Sequence, residues 1–131
     1  MPTLTINHLT IGKEIKIAVS LMATTCENLF SQLQLIENSS AHIIEWRLDY
    51  LLDRNDIIEL LKEIKKKTTK LILVTFRREE EGGVSPISSE EYFNLLKKMS
   101  LSVSYSNWFD ISATSLFNVI PEKLELIFSK L

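Results

Sequence analysis

Short apolar runs alternate along the chain with longer stretches in which apolar residues recur at helical spacing. The short runs predict strands at Ile15–Ser20, His42–Asp49 and Lys70–Arg77, and a weaker strand at Asn107–Ala113. Leu71–Val74 is apolar without interruption, which is typical of a strand that is covered on both faces. The pattern therefore predicts a parallel sheet with helices packed against it.

Helical periodicity follows each predicted strand, and every predicted helix begins at a residue that suits a helix start. Thr24 with Glu27, and Ser88 with Glu91, have the spacing of capping boxes, in which each side chain bonds a backbone N–H group of the other residue. Proline is favourable at a first helical position. The helix starts predicted in this way are Thr24, Asn55, Ser88 and Pro121.

Strands that alternate with helices imply right-handed crossovers, so the fold class is predicted to be α/β. Four strand–helix units could form a small open sheet, as in a flavodoxin-like domain. They could also be half of a closed (β/α)8 barrel, which needs twice as many units and typically about 250 residues. Thr3–Ile11 alternates polar and apolar residues and predicts a short hairpin or edge piece ahead of these units. Residues 1–131 are expected to form a single domain.

The composition limits the classes of protein to which this chain can belong. The hydrophobic share of 45% and the charged share of 24% are those of a globular domain, and the 15 Lys and Arg residues are scattered, so no nucleic-acid surface is indicated. No membrane span and no signal peptide are expected. Cys26 is the single cysteine, which excludes an internal disulfide, and it is expected to be buried as a small apolar residue. A reducing, cytoplasmic compartment is predicted.

Charged and apolar residues alternate along the second predicted strand, so that each kind occupies one face. The charged set is Glu45, Arg47 and Asp49, and the apolar set is Ile44, Trp46 and Leu48. Burying unpaired charges is costly, so the charged residues are expected to line a polar cavity or to pair with one another. A binding site is the simpler explanation. The alternative is an edge strand with a solvated charged face.

Arg77 ends the third predicted strand, and ligands of α/β folds bind at the carboxyl ends of parallel strands. Together with Arg47 it would offer forked donors to a carboxylate or to the ring oxygens of a small anionic substrate. The alternative is a surface arginine that pairs with Glu79 or Glu80.

Two further residues could face the same space. Glu81 precedes Gly82 and Gly83, so a flexible loop could carry its carboxylate over the strand ends, although it could also be plainly solvated. Ser20 closes the first predicted strand and could donate a hydrogen bond there, or be an ordinary strand-end serine. The sequence has no Gly-rich phosphate loop, no metal-spaced His or Cys cluster and no nucleophile elbow, so nucleotide, zinc and serine-hydrolase functions have no support.

Four segments, in order, resemble the N-terminal half of type I 3-dehydroquinases. They are IAVSLMA at Ile17–Ala23, IIEWRLDYL at Ile43–Leu51, LVTFR at Leu73–Arg77 and EGG at Glu81–Gly83. Their order and spacing, together with the SSEEYFNLL helix that follows, make the match specific. That family has a (β/α)8 TIM barrel. The resemblance implies that this chain forms about the first four β/α units, a half-barrel, after a short N-terminal β segment.

The resemblance also implies a reaction of the shikimate pathway, which leads to the aromatic amino acids. The family removes water from 3-dehydroquinate to give 3-dehydroshikimate, without metal or organic cofactor. A lysine forms a Schiff base with the ring ketone, and a histidine removes the neighbouring proton and helps hydroxide leave. The residues implied to bind the anionic substrate are Ser20, Glu45, Trp46, Arg47 and Arg77. Glu81 is implied to orient the histidine.

The sequence departs from the family in two ways. The family's lysine and histidine lie on strands of the second half, and this sequence ends at Leu131, before those strands. Ser112 stands where the family usually has a carboxylate, two residues after the aspartate that matches Asp110. The isolated chain is therefore expected to be inactive. It would be either an enzyme half that functions with a second half supplied by a continuation of the gene or by a second polypeptide, or a non-catalytic remnant or substrate-binding module. A homodimer is also possible.

Overall fold

A computed structural model describes residues 3–6, 9–100 and 108–109 of the chain. Strands and helices alternate within these ranges, in the order expected for an α/β protein. The strands are β1 (Leu4–Ile6), β2 (Leu9–Ile11), β3 (Ala18–Leu21), β4 (Ile43–Arg47), β5 (Leu71–Thr75) and β6 (Trp108–Phe109). The helices are α1 (Cys26–Glu37), α2 (Ile57–Lys67) and α3 (Ser89–Ser100), and 3-10 turns cover Leu48–Tyr50 and Glu79–Glu81.

Parallel pairing joins β3, β4, β5 and β6 in sequence order, which confirms the predicted α/β class with a parallel sheet. The register aligns Ser20 with Glu45 and Glu45 with Leu73, and further along it aligns Arg47 with Thr75. Register partners point to the same side of a sheet, so these residues share one face. We call it the open face, because the helices pack against the other, helix-covered face.

The hydrophobic core lies between the helix-covered face and the three helices. Leu21, Ile44 and Trp46 from the sheet are completely buried there. The helices contribute Leu29, Leu33, Leu61, Ile64, Leu96 and Met99, among others, to the same cluster. Burying a side chain of this size stabilises the fold by roughly 1.5–3 kcal/mol. This packing holds the helices to one face of the sheet.

Two of the predicted helix caps are wrong by one residue. Thr25, and not Thr24, caps α1, because its extended backbone turns the hydroxyl oxygen to accept from the N–H of Asn28 at 3.2 Å. Asp56, and not Asn55, is the N-cap residue of α2, and its side chain makes no capping bond. The N–H of Asn55 donates instead to Asp53 Oδ1 at 2.9 Å, in a turn that precedes the helix.

Of the other predictions of local structure, two are confirmed, one is wrong and one lies outside the described residues. The capping box ahead of α3 is confirmed, because the N–H of Glu91 donates to Ser88 Oγ at 3.1 Å and the N–H of Ser88 donates to Glu91 Oε2 at 3.4 Å. The N-terminal hairpin is also confirmed, as β1 and β2 pair antiparallel. The buried position expected for Cys26 is wrong, since this residue is exposed at the start of α1. The helix predicted from Pro121 lies outside the described residues.

The strands are shorter than the apolar runs predict. β3 begins at Ala18, and Ile15, the predicted first residue, is 92% exposed. The fourth strand is described as Trp108–Phe109, and the rest of the predicted Asn107–Ala113 segment lies outside the described residues. An apolar run predicts which segment enters the sheet, but neighbouring strands decide how many of its residues find a partner.

A group of hydrogen bonds, which we call the amino-end clasp, joins the end of α1 to the turn before β5. Thr68 Oγ1 donates to one carboxylate oxygen of Glu37, and the N–H and hydroxyl of Thr69 donate to the other at 3.3 and 3.2 Å. Lys70 Nζ donates to the carbonyl oxygens of Ser39 and Ala41 at 3.1 and 2.5 Å. Burial alone would raise the pKa of Glu37, but these hydrogen bonds and the charge of Lys70 lower it overall.

Replacing Glu37 by Gln is expected to lower the free energy of unfolding by about 1–2 kcal/mol at neutral pH, because an amide nitrogen cannot accept these hydrogen bonds. The folded-state pKa of Glu37 is lowered. The carboxylate's contribution is therefore present above the unfolded-state pKa and is lost as the pH falls through the folded-state pKa. Urea unfolding of both proteins from neutral to acidic pH measures this difference, which should shrink towards acid.

Glu63→Gln is the matched control. Glu63 pairs with Lys66 at 3.1 Å on the exposed side of α2, so its replacement should change stability by at most about 0.5 kcal/mol at any pH. A Glu37→Gln effect that stays constant into acid would contradict the role given to the carboxylate.

Candidate functional site

β4 ends in a buried ion pair. Arg47, its last residue, is 7% exposed, and Asp49, in the 3-10 turn that follows, is 0% exposed. The turn directs the Asp49 carboxylate back, so that Arg47 Nε donates to Oδ1 at 2.8 Å and Nη2 donates to Oδ2 at 2.7 Å. The expectation that Asp49 lies on the strand is therefore wrong. The carboxylate meets Arg47 because the chain leaves the sheet after Arg47.

The two charges of this pair stabilise each other. Burial alone would raise the pKa of Asp49, but the hydrogen bonds and positive charge of Arg47 hold that pKa below its ordinary value. Asp49 in turn raises the pKa of Arg47. The alternative of an edge strand with a solvated charged face is wrong, because β4 is an interior strand and both groups are buried.

The pairing uses only one side of the Arg47 guanidinium. Nε and Nη2 bond Asp49, and the guanidinium carbon lies 5.0 Å from the centre of the Tyr50 ring. A guanidinium carries five N–H donors in a fixed plane. None of the residues that the structure describes accepts a hydrogen bond from Nη1. Within the described part of the chain, this edge of the guanidinium therefore has an unused donor.

Ser20 and Glu45 form the next layer of the open face towards the amino ends of the strands. The two residues are in register, and both are half-buried. Glu45 Oε1 accepts from Thr75 Oγ1 on β5 at 3.4 Å. Thr75 is not among the predicted site residues, although it is the polar residue in the otherwise apolar run LILVT, a signal from which it could have been predicted. The layer offers a hydroxyl and a carboxylate beside the Arg47 layer.

Arg77 follows the carboxyl end of β5. Phe76 is buried in the core, and Arg77, two residues beyond the last residue of β5, is exposed. Its backbone N–H donates to Asp49 Oδ1 at 3.4 Å, which brings the Arg77 backbone against the ion pair. The alternative, in which Arg77 pairs with Glu79 or Glu80, is not found among the described residues, and Glu80 pairs with Arg78 instead, at 3.1 Å.

Glu81 lies in a closed turn rather than on the flexible loop that the sequence suggests. Its Oε2 accepts from the N–H of Arg78 at 3.2 Å, and the N–H of Gly83 donates to the Arg78 carbonyl at 2.9 Å. Arg78 is itself buried, and its guanidinium lies over the Tyr92 ring of α3 at 5.2 Å. Ser85, which the sequence analysis also missed, donates to the carbonyl oxygen of Asp49 at 2.6 Å. The loop is therefore tied both to α3 and to the ion pair.

Trp46 does not join the other predicted site residues. It is 0% exposed and lies on the helix-covered face, in register with Leu21 and Val74. Its neighbours along β4, Glu45 and Arg47, point the other way because successive strand residues alternate. The expectation that Trp46 contacts substrate is therefore corrected. It belongs to the core behind the site.

Other features of the described ranges add little to this site. No described helix is long and apolar enough to cross a bilayer, and the described His, Cys, Asp and Glu residues form no group that could hold a metal ion. A groove of about 600 Å³ lies between the turn before α2 and α3. It is lined by none of the six predicted site residues.

Comparison with known proteins shows that the sequence of this chain is similar to those of one enzyme family. The family model of type I 3-dehydroquinase matches residues 17–115. A 3-dehydroquinate dehydratase of Neisseria gonorrhoeae is 38% identical over 99 residues, which are 72% of this chain and 39% of that protein. One from Escherichia coli O7:K1 is 36% identical over 100 residues, which are 72% of this chain and 40% of that protein.

Solved structures agree with the sequence comparisons. A type I 3-dehydroquinate dehydratase of Clostridium difficile, solved with covalently modified comenic acid, matches with a TM-score of 0.88 at 25% identity, over 98% of this chain and 52% of that one. The enzyme of Geobacillus kaustophilus matches with a TM-score of 0.87 at 17% identity, which supports the fold alone. These matches confirm the barrel family, and the chain spans about half the length of the solved relatives.

The two glycines after Glu81 have different surroundings, so we expect different effects when each is replaced by alanine. A Cβ on Gly83 would lie 1.8 Å from the Arg77 carbonyl oxygen, whereas one on Gly82 would meet nothing within 4 Å. Gly83→Ala should therefore displace the loop and alter the amide resonances of Glu81 and Ser85. Gly82 has a φ of +90°, so Gly82→Ala should cost about 1–2 kcal/mol of backbone strain and leave the loop in place.

Backbone NMR spectra and urea unfolding of the two variants measure these effects. Gly82→Ala is the matched control, because it adds the same methyl group one residue away. Equal spectral changes in both variants would contradict the close approach of Gly83 to the Arg77 backbone.

Proposed function

Because the chain belongs to the type I 3-dehydroquinase family, we propose that it forms the substrate-holding part of a 3-dehydroquinate dehydratase. The reaction removes water from 3-dehydroquinate and yields 3-dehydroshikimate. The observation that carries the proposal is the placement of the buried Arg47 at the carboxyl end of β4 and of the exposed Arg77 just beyond the carboxyl end of the neighbouring parallel β5, with Glu45 on the same face of β4 as Arg47. Ligands of α/β barrels bind at this end.

The chemistry of these side chains suits a hydroxylated ring acid. The Arg47–Asp49 pair is neutral overall, so it presents directed N–H donors without adding net charge. Arg77 has no ion-pair partner among the described residues and supplies the positive charge that attracts an anion. Glu45 can accept hydrogen bonds from hydroxyl groups, and Ser20 can donate or accept. Together the four residues offer both donors and acceptors to a substrate with several oxygens.

In this proposal, the covalent chemistry comes from residues that correspond to the second half of the relatives. A lysine there would condense with the ring ketone to form a Schiff base, and the imine would draw electrons from the neighbouring carbon. A histidine would take the proton from that carbon and then pass it to the departing hydroxide, which leaves as water. These proposed steps require no metal or organic cofactor. Glu81, held by the Arg78 N–H, would orient the histidine.

The site would be completed by those second-half strands, paired with the described sheet to close a barrel around the open face. Residues 1–131 then act as one domain with that second half. The reducing cytoplasm suits a chain whose single cysteine is exposed. Without the second half, the chain would hold substrate but not convert it.

Arg77→Ala is expected to weaken the binding of 3-dehydroquinate by about tenfold or more, because a hydrogen bond to a charged group contributes about 1.5–3 kcal/mol. Isothermal titration of the 131-residue chain with 3-dehydroquinate measures the dissociation constant. Arg77 is exposed, so the variant should fold as the wild type does.

Lys66→Ala is the matched control, because it removes the same charge from an exposed position on α2, away from the open face. Its affinity should equal that of the wild type. Equal binding by all three proteins, or binding by none of them, would overturn the proposed substrate site.

A second experiment tests whether residues 1–131 carry out any of the covalent chemistry by themselves. The 131-residue chain alone should produce no ultraviolet absorbance of the enone product from 3-dehydroquinate. It should also form no covalent adduct when borohydride is added with the substrate, as read by mass spectrometry of the intact protein. A stoichiometric borohydride adduct on any lysine would show that this chain carries the imine-forming group itself.

A further inference from the structure

Asp49 contacts three separate segments of the chain. Its carboxylate accepts from the guanidinium of Arg47 at the end of β4 and, through Oδ1, from the backbone N–H of Arg77 after β5. Its carbonyl oxygen accepts from the hydroxyl of Ser85, in the loop between β5 and α3. The residue is completely buried, so these contacts replace water around it. A simple counter-ion for Arg47 would need only the first of them.

We propose that Asp49 is a positioning residue that orients the Arg47 guanidinium relative to the Arg77 backbone and ties both to the loop that carries Glu81. The proposal rests on the proposed function in so far as these residues bind substrate. The positioning itself is a property of the described chain and can be measured without a ligand.

The geometry of the guanidinium supports this role. Two parallel hydrogen bonds, from Nε and Nη2, prevent rotation of the guanidinium plane, and the Tyr50 ring lies against it. The edge that carries Nη1, which bonds none of the described residues, then has a single direction. Asp49 Oδ1 is shared between Arg47 Nε at 2.8 Å and the Arg77 N–H at 3.4 Å. A shift of either arginine therefore disturbs the hydrogen bonding of the other.

The loop is coupled through the other end of the same residue. Ser85 Oγ lies 2.6 Å from the Asp49 carbonyl oxygen, and the N–H of Gly83 bonds the Arg78 carbonyl at 2.9 Å. The turn that holds Glu81 is thus connected by short hydrogen bonds to the 3-10 turn Leu48–Tyr50. Movement of the loop would be transmitted to the carboxylate that holds Arg47.

Stability alone does not account for the pair. Removing two charges from water costs several kcal/mol per ion, and well-packed apolar residues at such positions often stabilise a fold equally well or better. A buried arginine that is ion-paired through Nε and Nη2 at the carboxyl end of a strand is better explained by the fixed direction of its remaining donors.

The test compares Asp49→Asn with Asp53→Asn. The exposed Asp53 carboxylate accepts the N–H of Asn55, so Asp53→Asn is a matched control. The measured quantities are the hydrogen exchange of the Arg47 Nε–H and of the Arg77 amide, by NMR. Both should exchange at least about tenfold faster in Asp49→Asn, because the NH2 group of Asn cannot accept a hydrogen bond and would face one N–H donor of the guanidinium. Both should be unchanged in Asp53→Asn.

Asp49→Asn could fail to fold, so a milder pair of variants accompanies it. Ser85→Ala removes only the hydroxyl that reaches the Asp49 carbonyl. Ser89→Ala is its control, because the exposed Ser89 hydroxyl bonds no described residue. The Arg47 Nε–H resonance should shift in Ser85→Ala and stay in place in Ser89→Ala. A structural role limited to the loop would leave this resonance unchanged.

The outcomes separate the two proposals. Unchanged Arg47 and Arg77 signals in Asp49→Asn and Ser85→Ala would overturn the positioning role. A change in Asp49→Asn alone would overturn the link to the loop. If the signals change as expected, but the wild-type chain does not bind 3-dehydroquinate, the proposed function fails and the positioning role stands. If the wild type binds, Ser85→Ala should bind more weakly than Ser89→Ala.

Discussion

A charged arginine at the end of an interior strand requires a fixed partner, and the site in this chain depends on that requirement. Arg47 is buried between neighbouring strands, where an unpaired charge would be prohibitively costly. Asp49 supplies the partner only because the chain leaves the sheet after Arg47 and forms a 3-10 turn. The same turn directs the Asp49 carboxylate towards the backbone of Arg77 and the Asp49 carbonyl towards Ser85. One buried pair thus organises the strand ends and the loop beside them.

The sheet separates structural from functional residues by simple alternation. Ile44 and Trp46 face the helices and form the core, while Glu45 and Arg47 face the open side. The apolar contacts on one face make β4 rigid, and this rigidity holds the polar side chains of the other face in place. Side chains carried by such a strand can be held in fixed positions even where they differ in exposure, as Arg47 and Glu45 do.

Several features of the fold and the candidate site could be predicted from sequence, since they depend on periodicity and on neighbours along the chain. The α/β class, the capping box of Ser88 and Glu91, and the shared face of Glu45 and Arg47 are of this kind. The choice of Thr25 over Thr24 as a cap was not predictable, because two adjacent threonines give the same local pattern and only backbone angles distinguish them.

The sequence by itself determined which residues alternate in strands, which of the described segments form helices, and which family the chain resembles. Only the tertiary structure decided that Asp49 reaches back to Arg47, that Trp46 lies behind the site, and that Ser85 joins the loop to the ion pair. The reason is physical. Periodicity is a property of neighbouring residues, whereas these contacts depend on where the chain leaves the sheet and on segments up to 36 residues apart in sequence.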